Sequence, residues 1–460
     1  MNTVLDLLKT LRACALEEGL VMAIEYHEED SYLTRFANSA ISLNTSEHLV
    51  RLKFTAFDGY RRAEYGMITD PKDLQAMREG LRTAGRMARV AEPLSFEPTL
   101  PYYMKDVVDE RAYDPALAGL TSDERLAFFN TAAAGLETED IKLSGIFSNG
   151  TTTVAQICTT GEGIQYFRVT DAKITVVLSS ESQKWEVNAE QSAQKKSDLD
   201  AAALHRELAF LARHYQEDEP VQLSLGKYRV VFGPAATAEV MEIAAGYGSS
   251  GGAMRRGYSY LKEEDLGRRV FSPLVSVSDD PGIPALYGRT SDRYGRDRAE
   301  FPVFKEGVFQ AFTWEQDDAD EFGRTPTGHD VDQYSFSVNP GSMDCADLEA
   351  LAALPRDEDV LYIPYIHYMN IVNPSKGLVT GSSRFGALLL RKDGSVNIPY
   401  NVRLTQAFAD FFGDGVRWLS KQQVVYNTSS TYGRRNPVAL RVPRFLCVDG
   451  IEISHSNASY

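Results

Sequence analysis

The chain has 460 residues, of which 43% are hydrophobic and 24% charged, an ordinary globular composition with room for two or three domains. Its net charge of −16 argues against sequence-independent binding to nucleic acid, because an acidic surface repels phosphate backbones. No apolar run is long enough to cross a bilayer, and the N-terminus lacks the basic start and apolar core of a signal peptide. Cys14, Cys158, Cys345 and Cys447 are scattered without a CxxC pair, the usage expected of reduced thiols in a cytoplasmic protein.

Taken in order, residues 3–19 place Val4, Leu7, Leu8, Leu11 and Ala15 on one helical face. From Val21 to Met67 the pattern turns to strands, with turns at Asn38-Ser39, Asn44-Thr45 and Asp58-Gly59. A helix is expected over about 71–90, where Gly80, Ala84 and Ala88 recur every four residues and suit packing against a sheet. Residues 92–104 carry three prolines and read as a connector. A second helix-and-strand section runs from about 114 to 217. It holds the strand-like runs IKLSGIFSNG, TTTVAQICTT, GIQYFRVTD, KITVVLSS and KWEVNAE, and a closing helix over 198–216. The domains are therefore drawn as 1–92, a connector 93–110, a central region 111–217 packed with the first, and a β-rich region 218–460. The fold class is α+β: antiparallel sheets with long helices, then a mostly β C-terminal domain. One substantial helix is expected near the C-terminus, over 404–420.

The most informative stretch is Gly226 to Tyr258. Tyr228–Phe232 is a short apolar strand, Gly233-Pro234 a turn with proline at the first helical position, and 234–246 a helix that stops at glycine. Glu239 and Glu242 lie three apart on one face of that helix, which is either solvated or turned to a cleft. Glu242 and Tyr247 are five apart, about 140° round an ideal helix, so they converge only if the helix breaks at Gly246. The run Gly246–Gly252 is read as a flexible loop. It follows a helix and has no Gly-Lys-Ser/Thr, so it is no phosphate cradle. His329-Asp330-x-Asp332 forms a histidine–carboxylate cluster that reads as a polar loop, and His367 reads as a sheet histidine. There is no Gly-x-Ser-x-Gly nucleophile elbow.

Several pieces, in this order and spacing, resemble the TldD/PmbA family. They are TRFANSAI, GKYRVVFGPAATAEVMEIA, the SDDP turn, EFPVFKEGVFQAFTW, RTPTG, VTGSSRFGALLLRKDGSVNIPYNVRLT and RVPRFLCVDGIEI. The resemblance implies two branches. The TldD branch is similar to a zinc peptidase, with a His-Glu-x-x-x-His motif on the helix after the Gly-Pro turn and a further cysteine near the C-terminus. The PmbA (TldE) branch shares the fold without the motif, and the two form a heterodimer acting on peptides. Here the motif positions hold Glu242, Ile243 and Tyr247, and the cysteine position falls at Ser429 or Ser430. Isoleucine can be neither ligand nor base, and tyrosine is a rare ligand. The chain therefore resembles the PmbA branch, with no zinc expected in it and zinc expected in a TldD-like partner. It departs from the family at Asp292-Arg293-Tyr294-Gly295, where an Asp-x-Glu-Gly is typical, and at Thr159-Thr160-Gly161.

The leading expectation is a PmbA-like, non-catalytic subunit of a peptidase complex that helps hold an extended peptide, with Glu239, Glu242, Tyr247 and His329 as candidate cleft residues. A self-assembling homodimer that binds peptide or another ligand without cleaving it is the alternative. A third reading keeps hydrolysis through an unusual metal site built from Glu242 and the His329 loop.

Overall fold

The computed structural model describes residues 1–218, 220–332, 334–429 and 433–457. Residues 21–193 supply a single seven-stranded sheet in the order β3-β2-β1-β5-β6-β4, with β7 also on β6. Its strands are β1 (Val21–Ala37), β2 (Ala40–Asp58), β3 (Arg61–Ile68), β4 (Val107–Asp109), β5 (Ile141–Cys158), β6 (Ile164–Ser180) and β7 (Trp185–Ala193). Because β1 pairs with β5, the first and central sections share one sheet, and residues 107–109 of the connector join it alongside β6.

The strands are longer than the sequence suggests. Asn44-Thr45 is not a turn: β2 runs straight through it, with Asn44 opposite Thr34 and Thr45 opposite Leu33. Asn149-Gly150 likewise lies inside β5, where glycine is required because a Cβ at 150 would stand 2.2 Å from the Asp30 carbonyl oxygen. The Asn38-Ser39 turn is as expected, with φ of 49° and 61°, the left-handed pair of a tight hairpin.

Two helices, α1 (Asn2–Glu17) and α2 (Leu74–Val90), cover one half of the sheet. Val4, Leu8, Leu11, Met77, Leu81 and Ala84 bury there against Ile24, Tyr26, Phe54 and Ile157. The helix Ala201–Glu217 is amphipathic in the same way. Its Leu204, Leu208 and Leu211 join the core of β5–β7 to that of the C-terminal half.

Among the described residues the C-terminal half contains a six-stranded and a ten-stranded sheet with the Gly233-Pro234 helix between them. The strand Gly226–Phe232 lies inside the larger sheet, parallel to Val360–Ile363 and antiparallel to Leu446–Asn457. The strand Tyr365–Asn373 forms one edge of that sheet.

The expected helix over 404–420 is not present. That stretch is the strand Asn401–Ala407, one helical turn Phe408–Phe412 and the strand Val416–Leu419. Val402, Leu404 and Gln406 alternate buried and exposed with their neighbours, a period of two that pairing on both sides enforces. All four cysteines are free and buried. Among the described residues no helix is long and apolar enough to cross a membrane.

Candidate functional site

The site is built where the Gly233-Pro234 helix meets the first sheet. Gly233 is the N-cap and Pro234 opens the helix, as its missing N–H permits. The α-helical part ends at Met241. The chain does not break at Gly246 but widens into a π-helix over Glu242–Tyr247. A π turn closes i→i+5, so residues 242 and 247 come to one side without a break.

The glycine run is packed, not a flexible loop. Residues 251–255 are helical, and Gly251 and Gly252 are buried. A Cβ on Gly251 would meet the Trp314 indole at 2.4 Å, and one on Gly252 the Asp318 carboxylate at 1.8 Å. Close approach, not mobility, requires glycine there.

Glu239 and Glu242 are half-buried, so their face is not freely solvated. They meet residues of β6 and β7 and of the strand Gln423–Asn427 with its exit. Thr428 Oγ1 donates to Glu242 Oε1 at 3.2 Å. Lys173 Nζ on β6 donates to the Ser429 carbonyl at 3.1 Å and lies 5.8 Å from the centre of the Tyr426 ring. The Tyr426 hydroxyl donates to Glu190 on β7 at 2.7 Å, and Tyr365 adjoins Glu239. Ser429 is therefore brought beside Glu242, with its hydroxyl bonded to Asn427. Ser430 lies outside the described residues.

Burial, then the Glu190 and Glu242 carboxylates, push Glu239 up to about 8, with Lys173 opposing. Burial also raises Glu242, against Thr428 and Lys173. At neutral pH Glu239 thus holds a proton and can donate a hydrogen bond. This has a stability consequence. Between the ordinary carboxyl range and about 8 the folded chain holds a proton that the unfolded chain has lost, so stability falls as pH rises through that window. Glu239→Gln is expected to flatten this slope and to raise the melting temperature at pH 8 but not at pH 5. Thermal melts across pH check it, and an unchanged slope contradicts it.

His329 is not brought to Glu242. It is 2% exposed, with Nδ1 2.8 Å from Thr327 Oγ1 and Nε2 3.2 Å from Asp279 Oδ2. Its ring packs on Phe301 and Tyr334. Nor is its segment a solvated polar loop: Asp330 and Asp332 face Arg293, and Asp332 also faces Arg289. The departure at Asp292–Gly295 has a role here, since Asp292 accepts from the backbone of Tyr294 and Arg296 while Arg293 reaches Asp330, Asp332 and Glu25.

The residues at the motif positions do not fit zinc. Glu242 offers one carboxylate engaged by Thr428, Ile243 no donor, Tyr247 a phenol and Ser429 an engaged hydroxyl. Among the described residues, no group of three or more His, Cys, Asp or Glu is placed to hold a metal ion. Lys173, Glu190, Tyr365, Tyr426 and Thr428 escape a reading of the sequence. Only Thr428, adjacent to Ser429, had a signal in position.

The profile of the PmbA/TldA metallopeptidase C-terminal domain matches residues 225–455. No curated protein matches the chain. Among solved structures, TldE from Thermococcus kodakarensis is similar at a TM-score of 0.80 with 14% identity, over 98% of this chain and 100% of that one. A candidate DNA gyrase modulator from Thermotoga maritima MSB8 gives 0.78 with 16% identity, over 98% and 99%. A counterpart from Bacteroides thetaiotaomicron VPI-5482 gives 0.76 with 16% identity, over 98% of each chain. At these identities the likeness is one of fold.

Proposed function

Because the chain belongs to the TldD/PmbA family, we propose that it is a PmbA/TldE-like, metal-free subunit of a peptidase complex whose zinc is carried by a TldD-like partner. One observation carries this reading: Glu242, Ile243 and Tyr247 occupy the helix positions where the family resemblance puts histidine, glutamate and histidine. The π turn keeps residues 242 and 247 on one side, yet the side chains supply neither a ligand set nor a base.

What remains suits binding. The protonated Glu239 can donate to a peptide carbonyl, and a Glu242 carboxyl oxygen, which already accepts from Thr428, can accept from a peptide N–H. Tyr365, beside Glu239, begins the edge strand Tyr365–Asn373, whose outer side is unpaired among the described residues. An extended peptide adds to such an edge through main-chain hydrogen bonds that need no particular sequence.

Co-expression with a TldD-like chain from the same genome is expected to yield a heterodimer by light scattering. The partner should cleave peptides only, or much faster, within it. If no complex forms and the partner cleaves equally well alone, the reading fails. A stable dimer of this chain alone would favour the homodimeric alternative.

A further inference from the structure

A groove of about 870 Å³ lies between the β6–β7 hairpin and one face of the large sheet. Its floor is a row across four strands. His367 stands opposite Ser382, Ser382 opposite Arg403, and Arg403 opposite His455. Strands about 4.8 Å apart make this row span roughly 14 Å. Arg384 stands beside the row and Lys184 on the opposing hairpin.

The lining charge runs against that of the molecule. Lys184, Arg384 and Arg403 face two carboxylates, Glu181 and Glu186, on a chain of net charge −16. Glu186 is tied to Arg384 at 3.3 Å, and Arg384 also donates to His367 Nε2 at 3.1 Å. Among the described residues Lys184 and Arg403 make no ion pair, and both are exposed. They are the cations free to meet an incoming anion.

The groove continues the candidate site. Glu186 and Glu190 lie on the same face of β7, four residues apart, which is about 13 Å at roughly 3.3 Å per residue. Glu190 belongs to the Glu239 cluster and Glu186 to the groove. On the other wall Tyr365, which adjoins Glu239, pairs with Arg384.

Resting on the peptide-binding reading above, we propose that this groove takes a carboxylate of the bound peptide, about four extended residues from the segment lying against Glu239 and Glu242. The carboxylate belongs to an acidic side chain or to a free C-terminus. Favourable placement opposite two uncommitted cations, and repulsion of a cationic residue, then set specificity.

The test is fluorescence anisotropy of the full-length chain with labelled peptides of one neutral sequence. They carry a terminal pair of Glu, a pair of Lys or neither, each as free acid and as C-terminal amide. The Glu peptide is expected to bind on the order of tenfold tighter than the Lys peptide at low salt, with the ratio shrinking as salt screens it. Lys184→Glu with Arg403→Glu should abolish or invert that ratio. Arg403→Gln should reduce the ratio part-way. Loss of binding on amidation alone identifies the terminal carboxylate, and retention identifies the side chain. Equal binding of Glu and Lys peptides with no loss on amidation, or a ratio untouched by charge reversal, overturns the proposal while neutral-peptide binding leaves the peptide reading standing. Failure of every peptide to bind overturns both.

Discussion

Arg298→Ala is expected to lower the unfolding free energy by about 3–5 kcal/mol, the cost of removing one partner from a buried pair. Arg298 and Asp279 are 2% and 1% exposed and form an ion pair. Burial alone would raise the Asp279 carboxyl. His329, Arg298 and the Ser335 N–H together hold it below its ordinary value. A depressed carboxyl contributes stability that is present above its unfolded pKa and is lost as pH falls through the folded one. Without Arg298 the carboxylate keeps the Ser335 N–H and the neighbouring His329 but loses its strongest cation. Arg298→Met with Asp279→Asn should recover part of the loss, because a neutral pair needs no desolvated counter-ion. Urea midpoints of the single and double variants measure this. A single variant within about 1 kcal/mol of the parent would place Asp279 in contact with water and contradict the packing described.

The second large effect is expected at Arg435. Its guanidinium grips Asp171 with two bonds of 2.8 Å and donates to Ser148 at 3.1 Å, while its backbone N–H serves Glu29. Asp171 and Lys173 lie two apart on β6, so one face of that strand holds the chain at both Ser429 and Arg435. Arg435→Met keeps the aliphatic stem but leaves Asp171 buried without its cation, at a cost of about 3 kcal/mol or more. Burial already raises the Asp171 carboxyl against Arg435. Without Arg435 it rises further, so the variant binds a proton on folding and its deficit grows as pH rises. Melting curves at pH 5 and pH 8 should show the larger gap from the parent at pH 8. An equal gap at both would mean that Asp171 is not the group left unpaired.

The local features of this chain were legible because their causes are local. The Gly233-Pro234 helix start, the Asn38-Ser39 hairpin and the apolar face of α1 each follow from a few neighbouring residues. The misreadings share a different cause. His329 looked solvated because Asp279, which pairs with it, and Phe301, on which its ring packs, are distant in sequence. The run Gly246–Gly252 looked flexible because nothing nearby announces Trp314 and Asp318 pressing on it. Residues 404–420 looked helical because the strands pairing on either side of Asn401–Ala407 come from elsewhere in the chain. Position in the family pattern, not composition, pointed to residues 242 and 429. The fold then adds Lys173 and Glu190 from a sheet more than forty residues upstream of Gly233.

The proposed loss of the metal site is tested by the zinc content of this chain and of a TldD-like chain from the same genome, each purified alone and after co-expression. Zinc is expected in the TldD-like chain and in any complex of the two, and none in stoichiometric amount in this chain after zinc loading and dialysis. Stoichiometric zinc retained by this chain alone, and lost in Glu242→Ala, would contradict it.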